Sequence, residues 1–189
     1  METLKNRLLD IIKTDDDIRK RIGIVAVLTD ALKDYNVTPV IVGGFAVELW
    51  TMGKYATLDV DLVAEGISET APVLYDLGFK NRGGVWTYPG SDVIIEFPKP
   101  PLDGDYNRLQ PLDFDGNTVY LLGIEDILLD RVSALKHWRD ESSREWAVFL
   151  AAAHFEKIDW MYCEKKAIEK QIDDELQLIK ISAAELLKS

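Results

Sequence analysis

The sequence has a single cysteine, Cys163, so no disulfide can form within the chain, and a cysteine-built zinc site would need a second chain. Its two histidines, His137 and His154, fall on separate predicted helices, which suggests neither a metal pair nor a catalytic triad. Long apolar runs are missing as well: none approaches the ~20 residues of a membrane span. The opening Met1-Glu2-Thr3-Leu4-Lys5 is charged where a secretory signal needs an apolar stretch, so a soluble, cytoplasmic and unprocessed protein is expected. Basic charge is also short. Twenty-two Lys and Arg against 33 Asp and Glu give a net charge of −11, a field that repels polyanions and argues against membrane and bulk DNA binding. Two locally basic stretches, Lys80-Asn81-Arg82 and Arg131 to Arg144, read first as solvated faces of ordinary elements, with a local nucleic-acid strip as the alternative.

What remains is an ordinary globular composition, 47% apolar and 29% charged over 189 residues, enough for one α/β domain with a helical extension. Apolar spacing predicts helices over 3–13 and 17–34, with the Asp15-Asp16-Asp17 run suited to a helix start. A β-branched run, Thr38 to Val42, ends at Gly43-Gly44 and gives way to a helix reaching toward Gly53. Thr57 to Val63 alternates apolar and acidic residues as a strand, and a helix follows from Gly66 to Gly78. Val85–Tyr88 and Asp92–Phe97 form a predicted hairpin around Pro89-Gly90-Ser91, and a further short strand spans Thr118–Leu121. The segment from Pro98 to Gly116, with four prolines, reads as a loop bordering the site. From Gly123 the pattern is helical, over 124–137, 141–154, 159–171 and 173–187. The expected fold class is α/β (α+β): a small mixed sheet with flanking helices over 1–122, and an appended helical subdomain over 123–189.

Asp59 and Asp61, at i and i+2 on a strand, project to the same side, where a divalent cation would relieve their mutual repulsion. Magnesium prefers oxygen ligands and is commonly completed by substrate phosphates, so this strand suits a metal that arrives with a nucleotide. Gly43-Gly44 supplies a backbone that a phosphate can approach closely, followed by the unpaired amides of a helix start.

Together these residues resemble the signature of the nucleotidyltransferase superfamily: Ile41-Val42-Gly43-Gly44-Phe45-Ala46, a spacer ending in Ala56-Thr57-Leu58, then Asp59-Val60-Asp61-Leu62. Within it, the Thr57 before Asp-x-Asp looks most like the prokaryotic branch of abortive-infection-type toxins and uncharacterised transferases. The resemblance implies catalytic, metal-binding roles for Asp59, Asp61 and a third acid, best assigned to Glu96 in the apolar strand Val93–Phe97, with Asp92 as runner-up. It implies nucleotide contacts from Gly43, Gly44, Thr57 and Arg131, the last on a helix where relatives carry Lys; Lys136 and Arg139 are further candidates. The cofactor would be magnesium or manganese and the substrate a nucleoside triphosphate.

Competing readings attach to each feature. Asp59-Val60-Asp61-Leu62-Val63 also fits the nucleophile motif of haloacid-dehalogenase-type phosphatases, but Tyr55-Ala56-Thr57-Leu58 is a poor apolar lead-in and Gly43-Gly44 is left without a role. Trp138, Trp146 and Trp160 read as interhelical core; Trp86 and Tyr88 are better placed for base stacking, though core packing is the more common fate of such residues. The expected activity is metal-dependent transfer of a nucleoside monophosphate to an acceptor that the sequence does not specify: a small molecule, a protein or an RNA end. The alternative is a catalytically silent binding or regulatory protein of the same fold, paired with a small partner protein as in a toxin–antitoxin system.

Overall fold

The computed structural model describes residues 1–188. Among these residues eight α-helices and seven strands follow the order α1 (Glu2–Ile12), α2 (Asp17–Leu32), β1 (Val40–Val42), α3 (Gly43–Trp50), β2 (Asp59–Val63), α4 (Ile67–Leu77), β3 (Lys80–Arg82), β4 (Val85–Thr87), β5 (Ile94–Glu96), β6 (Gln110–Phe114), β7 (Asn117–Leu121), then α5 (Ile124–Trp138), α6 (Glu141–Ala153), α7 (Trp160–Lys170) and α8 (Asp173–Leu186). Packing divides the chain into two units. The first holds Met1–Phe45 and Ala56–Leu122; the second holds Ala46–Tyr55 and the residues from Gly123 onward.

All seven strands lie in the first unit, in one mixed sheet of order β3-β4-β5-β2-β1-β7-β6. Its centre is made of β2 and β1, antiparallel to each other, with β5 parallel to β2 on one side and β7 parallel to β1 on the other. Central position explains composition: Val40, Ile41, Val60, Leu62 and Ile95 are all almost fully buried. Helix α2 contributes a continuous buried stretch from Gly23 to Leu28, and its start is fixed by Asp16, whose carboxylate accepts the Arg19 backbone N–H at 2.9 Å.

Two strands depart from the sequence reading. Lys80-Asn81-Arg82 is an edge strand, β3, whose three polar residues give no apolar alternation to detect; Lys80 and Arg82 are exposed. Gln110–Phe114, inside the proline-rich segment, is β6 at the other edge. Pro111 pairs with Tyr120 there, and an edge strand tolerates the missing N–H of proline.

The second unit is helical. Glu125 and Asp126, buried in the first turn of α5, are satisfied by the start of α7: Glu125 Oε1 accepts the Asp159 N–H at 3.1 Å, and Asp126 Oδ1 accepts the Tyr162 hydroxyl at 2.7 Å. His154 Nε2 lies 2.9 Å from the carbonyl of Trp50, and the two rings meet edge to face, a structural setting for this histidine. Trp146 packs edge-on against Tyr55. Trp138 departs from the expected core position: at the end of α5 it is 76% exposed. Among the described residues no helix is long and apolar enough to cross a membrane.

Candidate functional site

Strand β1 runs directly into α3 at Gly43, which has φ +60°. Register places Val42 opposite Asp61, so the bend that follows Val42 lies against the carboxylate. A Cβ built on Gly43 would stand 3.0 Å from Asp61 Cγ and closer still to Oδ2. Only glycine leaves room for this contact, and the positive φ independently selects it.

On β2, Val60 and Leu62 point into the core while Asp59 and Asp61 are half-buried on the other face. The parallel partner β5 pairs Asp59 with Ile94, Val60 with Ile95 and Asp61 with Glu96. Registered residues on neighbouring strands point the same way, so Asp59, Asp61 and Glu96 share one face of the sheet, beside the Gly43 bend. The carboxylates of Asp59 and Glu96 take part in no ion pair or side-chain hydrogen bond among the described residues. Asp92 is elsewhere: it precedes β5, its side chain is 74% exposed, and Lys20 Nζ reaches it at 3.5 Å.

One residue of this region left no mark in the sequence. Arg21, on α2, is 5% exposed; its Nη1 donates to the Thr57 carbonyl at 2.8 Å and its Nε to the Asp17 carbonyl at 3.1 Å. Its guanidinium carbon lies 4.4 Å from the centroid of Phe45, the residue after Gly44. Thr57 in turn accepts the Asp59 N–H on its hydroxyl at 3.4 Å. A helical Arg 22 residues before Gly43 carries no spacing signal.

The remaining candidates have ordinary surroundings. Trp86 is buried against Tyr75, and Tyr88 packs on Phe79, so both aromatics serve the core. Arg131 and Lys136 belong to the second unit. The Arg131 guanidinium is bonded to the neighbouring Asp130, and Lys136 Nζ donates to Glu175 at 2.8 Å, which raises the lysine pKa. With Arg144 on Glu141, the basic stretch from 131 to 144 is charge-balanced in large part.

A hollow of about 500 Å³, lined among others by Asp30, Lys33, Asn36, Thr38 and Tyr120, opens at the other end of β1, away from the acids. A neighbouring one of about 300 Å³ includes Tyr106, whose pKa is pushed up to about 12 by burial and by its hydrogen bond to Glu65. Arg21 lines a small cleft of about 40 Å³ with Asp17, Thr57 and Asp92.

Among the described residues no three His, Cys, Asp or Glu side chains converge as a ready-made metal cage. The donor chemistry nevertheless suits magnesium, which takes one or two carboxylates and completes its shell with water and substrate phosphate. Asp59 and Asp61, with Glu96 on the same face, are the residues that would hold it.

A family model described as nucleotidyltransferase of unknown function (DUF6036) matches residues 20–185. The chain belongs to this family. Its fold is shared with an antigenic nucleotidyltransferase-like protein from Paracoccidioides brasiliensis, 17% identical, with a TM-score of 0.58 over 87% of this chain and 94% of that one. A weaker likeness joins this chain to ANT(2")-Ia in complex with adenylyl-2"-tobramycin, 14% identical, covering 73% of this chain and 99% of that one at a TM-score of 0.47. The solution structure of the antibiotic-resistance factor ANT(2'')-Ia gives a TM-score of 0.48 at 14% identity, over 84% of this chain and 90% of that one. No curated protein matches the chain in sequence.

Proposed function

We propose that this protein transfers a nucleoside monophosphate from a nucleoside triphosphate to an acceptor hydroxyl or phosphate, in the cytoplasm, at the face formed by Asp59, Asp61, Glu96 and the Gly43-Gly44 bend. The observation that carries the reading is a single row across three strands: Val42, the residue before the bend, is in register with Asp61, and Asp61 with Glu96. Phosphate cradle and acidic face are thereby neighbours, as a metal-bound triphosphate requires.

In the reaction an acceptor oxygen attacks the α-phosphorus, the bond to the β-phosphate oxygen breaks, and pyrophosphate leaves with that electron pair. Magnesium or manganese, when bound, supplies charge neutralisation for the triphosphate and the departing pyrophosphate. Asp59 and Asp61 hold that cation; Glu96 accepts the acceptor's proton or orients its hydroxyl. The amides at the start of α3 receive phosphate oxygens, and Gly43 keeps the backbone clear of a side chain there. Thr57 anchors the entry to β2. Arg131 and Lys136 are assigned as nucleotide contacts by family resemblance alone. A net charge of −11 favours a small molecule or a protein side chain over bulk RNA as acceptor.

The test is transfer of label from each of the four α-labelled triphosphates, with magnesium or manganese, to pools of small molecules, protein and tRNA. Metal-dependent incorporation, abolished by Asp59→Asn, is the expected result. Metal-dependent nucleotide binding without transfer would make the chain the silent regulatory member of the fold; no nucleotide binding at all would remove the reading.

A further inference from the structure

A buried guanidinium is expensive to desolvate and persists only where its donors are matched. Arg21 is buried at the junction of the two halves of the site. Its donors reach the Thr57 carbonyl, two residues before Asp59, and its face lies on Phe45, one residue after Gly44. A further anchor is the Asp17 carbonyl one turn back on its own helix, which accepts from Nε at 3.1 Å. Methionine or leucine would fill the same space against Phe45, so apolar packing alone does not call for an arginine; the carbonyl of Thr57 does.

We infer that Arg21 is a positioning residue of the site. It ties the entry of β2 to the first turn of α3, so that Asp59 and the Gly43-Gly44 bend keep the separation that one metal-bound triphosphate can bridge. Thr57 transmits the constraint, because its carbonyl is held by Arg21 while its hydroxyl receives the Asp59 N–H. Asp92, on the same small cleft as Arg21, is reached by Lys20 at 3.5 Å. The inference rests on the nucleotide-site reading above.

The experiment compares wild type, Arg21→Met and Arg21→Lys as full chains. Calorimetry with manganese and each of ATP, GTP, CTP and UTP gives binding, and hydrogen exchange gives local protection. Arg21→Met should weaken metal-dependent binding of the preferred triphosphate by about 10- to 100-fold, the scale of a small misplacement of reacting groups. Exchange should rise at residues 43–46 and 57–60 while α2 stays protected, and Arg21→Lys should recover part of the binding. Wild-type affinity in Arg21→Met overturns the role. So does uniform loss of protection through the first unit in both variants, which marks a plain core residue. Absence of binding in wild type overturns the nucleotide-site reading and this role with it, an outcome distinct from the first because the parent protein itself is then inert.

Discussion

The carboxylate of Asp61 fills the space that a side chain on Gly43 would need. Acid and bend are therefore built against each other, and the glycine is required twice, by contact and by its φ of +60°. Gly43→Ala should destabilise the protein by more than about 1 kcal/mol, since alanine is strained at positive φ. It should also displace Asp61 and abolish metal-dependent nucleotide binding. Thermal unfolding and calorimetry on the same variant check both.

Asp59 and Glu96 hold half-buried negative charge on one face with no partner among the described residues. Neutral isosteres there remove repulsion without breaking a contact. Asp59→Asn and Glu96→Gln are thus expected to leave metal-free stability within about 0.5 kcal/mol of wild type. They should eliminate the rise in Tm that the proposed function predicts for wild type with a triphosphate and manganese. A large fall in metal-free Tm for either variant would assign the acid to structure.

Asp140 caps α6, its carboxylate accepting the Ser142 N–H at 3.1 Å and the hydroxyls of Ser142 and Ser143 at 2.6 Å each. These bonds, the Ser142 hydroxyl first, hold its pKa below the ordinary carboxylate value of 3.8. A depressed folded pKa contributes stability that is complete above the unfolded value and is lost as pH falls through the folded one. Asp140→Ala should cost about 1 kcal/mol at neutral pH, a Tm shift of roughly 2–4 °C. The gap to wild type should close progressively below pH 3.8, and denaturant titrations over that range measure it.

Ile95 is fully buried between Val60 and Trp86, its registered neighbours on β2 and β4, and it flanks Glu96 on the opposite face of β5. Ile95→Ala should cost about 2–5 kcal/mol through lost burial and the cavity left behind. Nucleotide affinity of the fraction that remains folded should stay close to wild type, because the acidic face is untouched.

Sequence alone determined the elements whose signals are local. Alternation in Asp59–Val63 is a direct consequence of a two-residue pleat with one face in the core, and the helices from α5 to α8 follow from apolar spacing at 3.6 residues per turn. Gly43-Gly44 followed by Asp59 and Asp61 was legible because glycine and acid each answer to a backbone or a charge, whatever lies beyond. Tertiary structure alone decided the rest. Lys80–Arg82 and Gln110–Phe114 became strands because partner edges offered hydrogen bonds, a gain that their own side chains do not encode. The same is true of Glu96 over Asp92 as neighbour of Asp61, a matter of register between strands, and of Arg21, which joins two segments distant in the chain by reaching a carbonyl. Pattern reports the environment that a residue's own segment creates; which segments lie side by side is settled only when the whole sheet closes its hydrogen bonds and buries its faces.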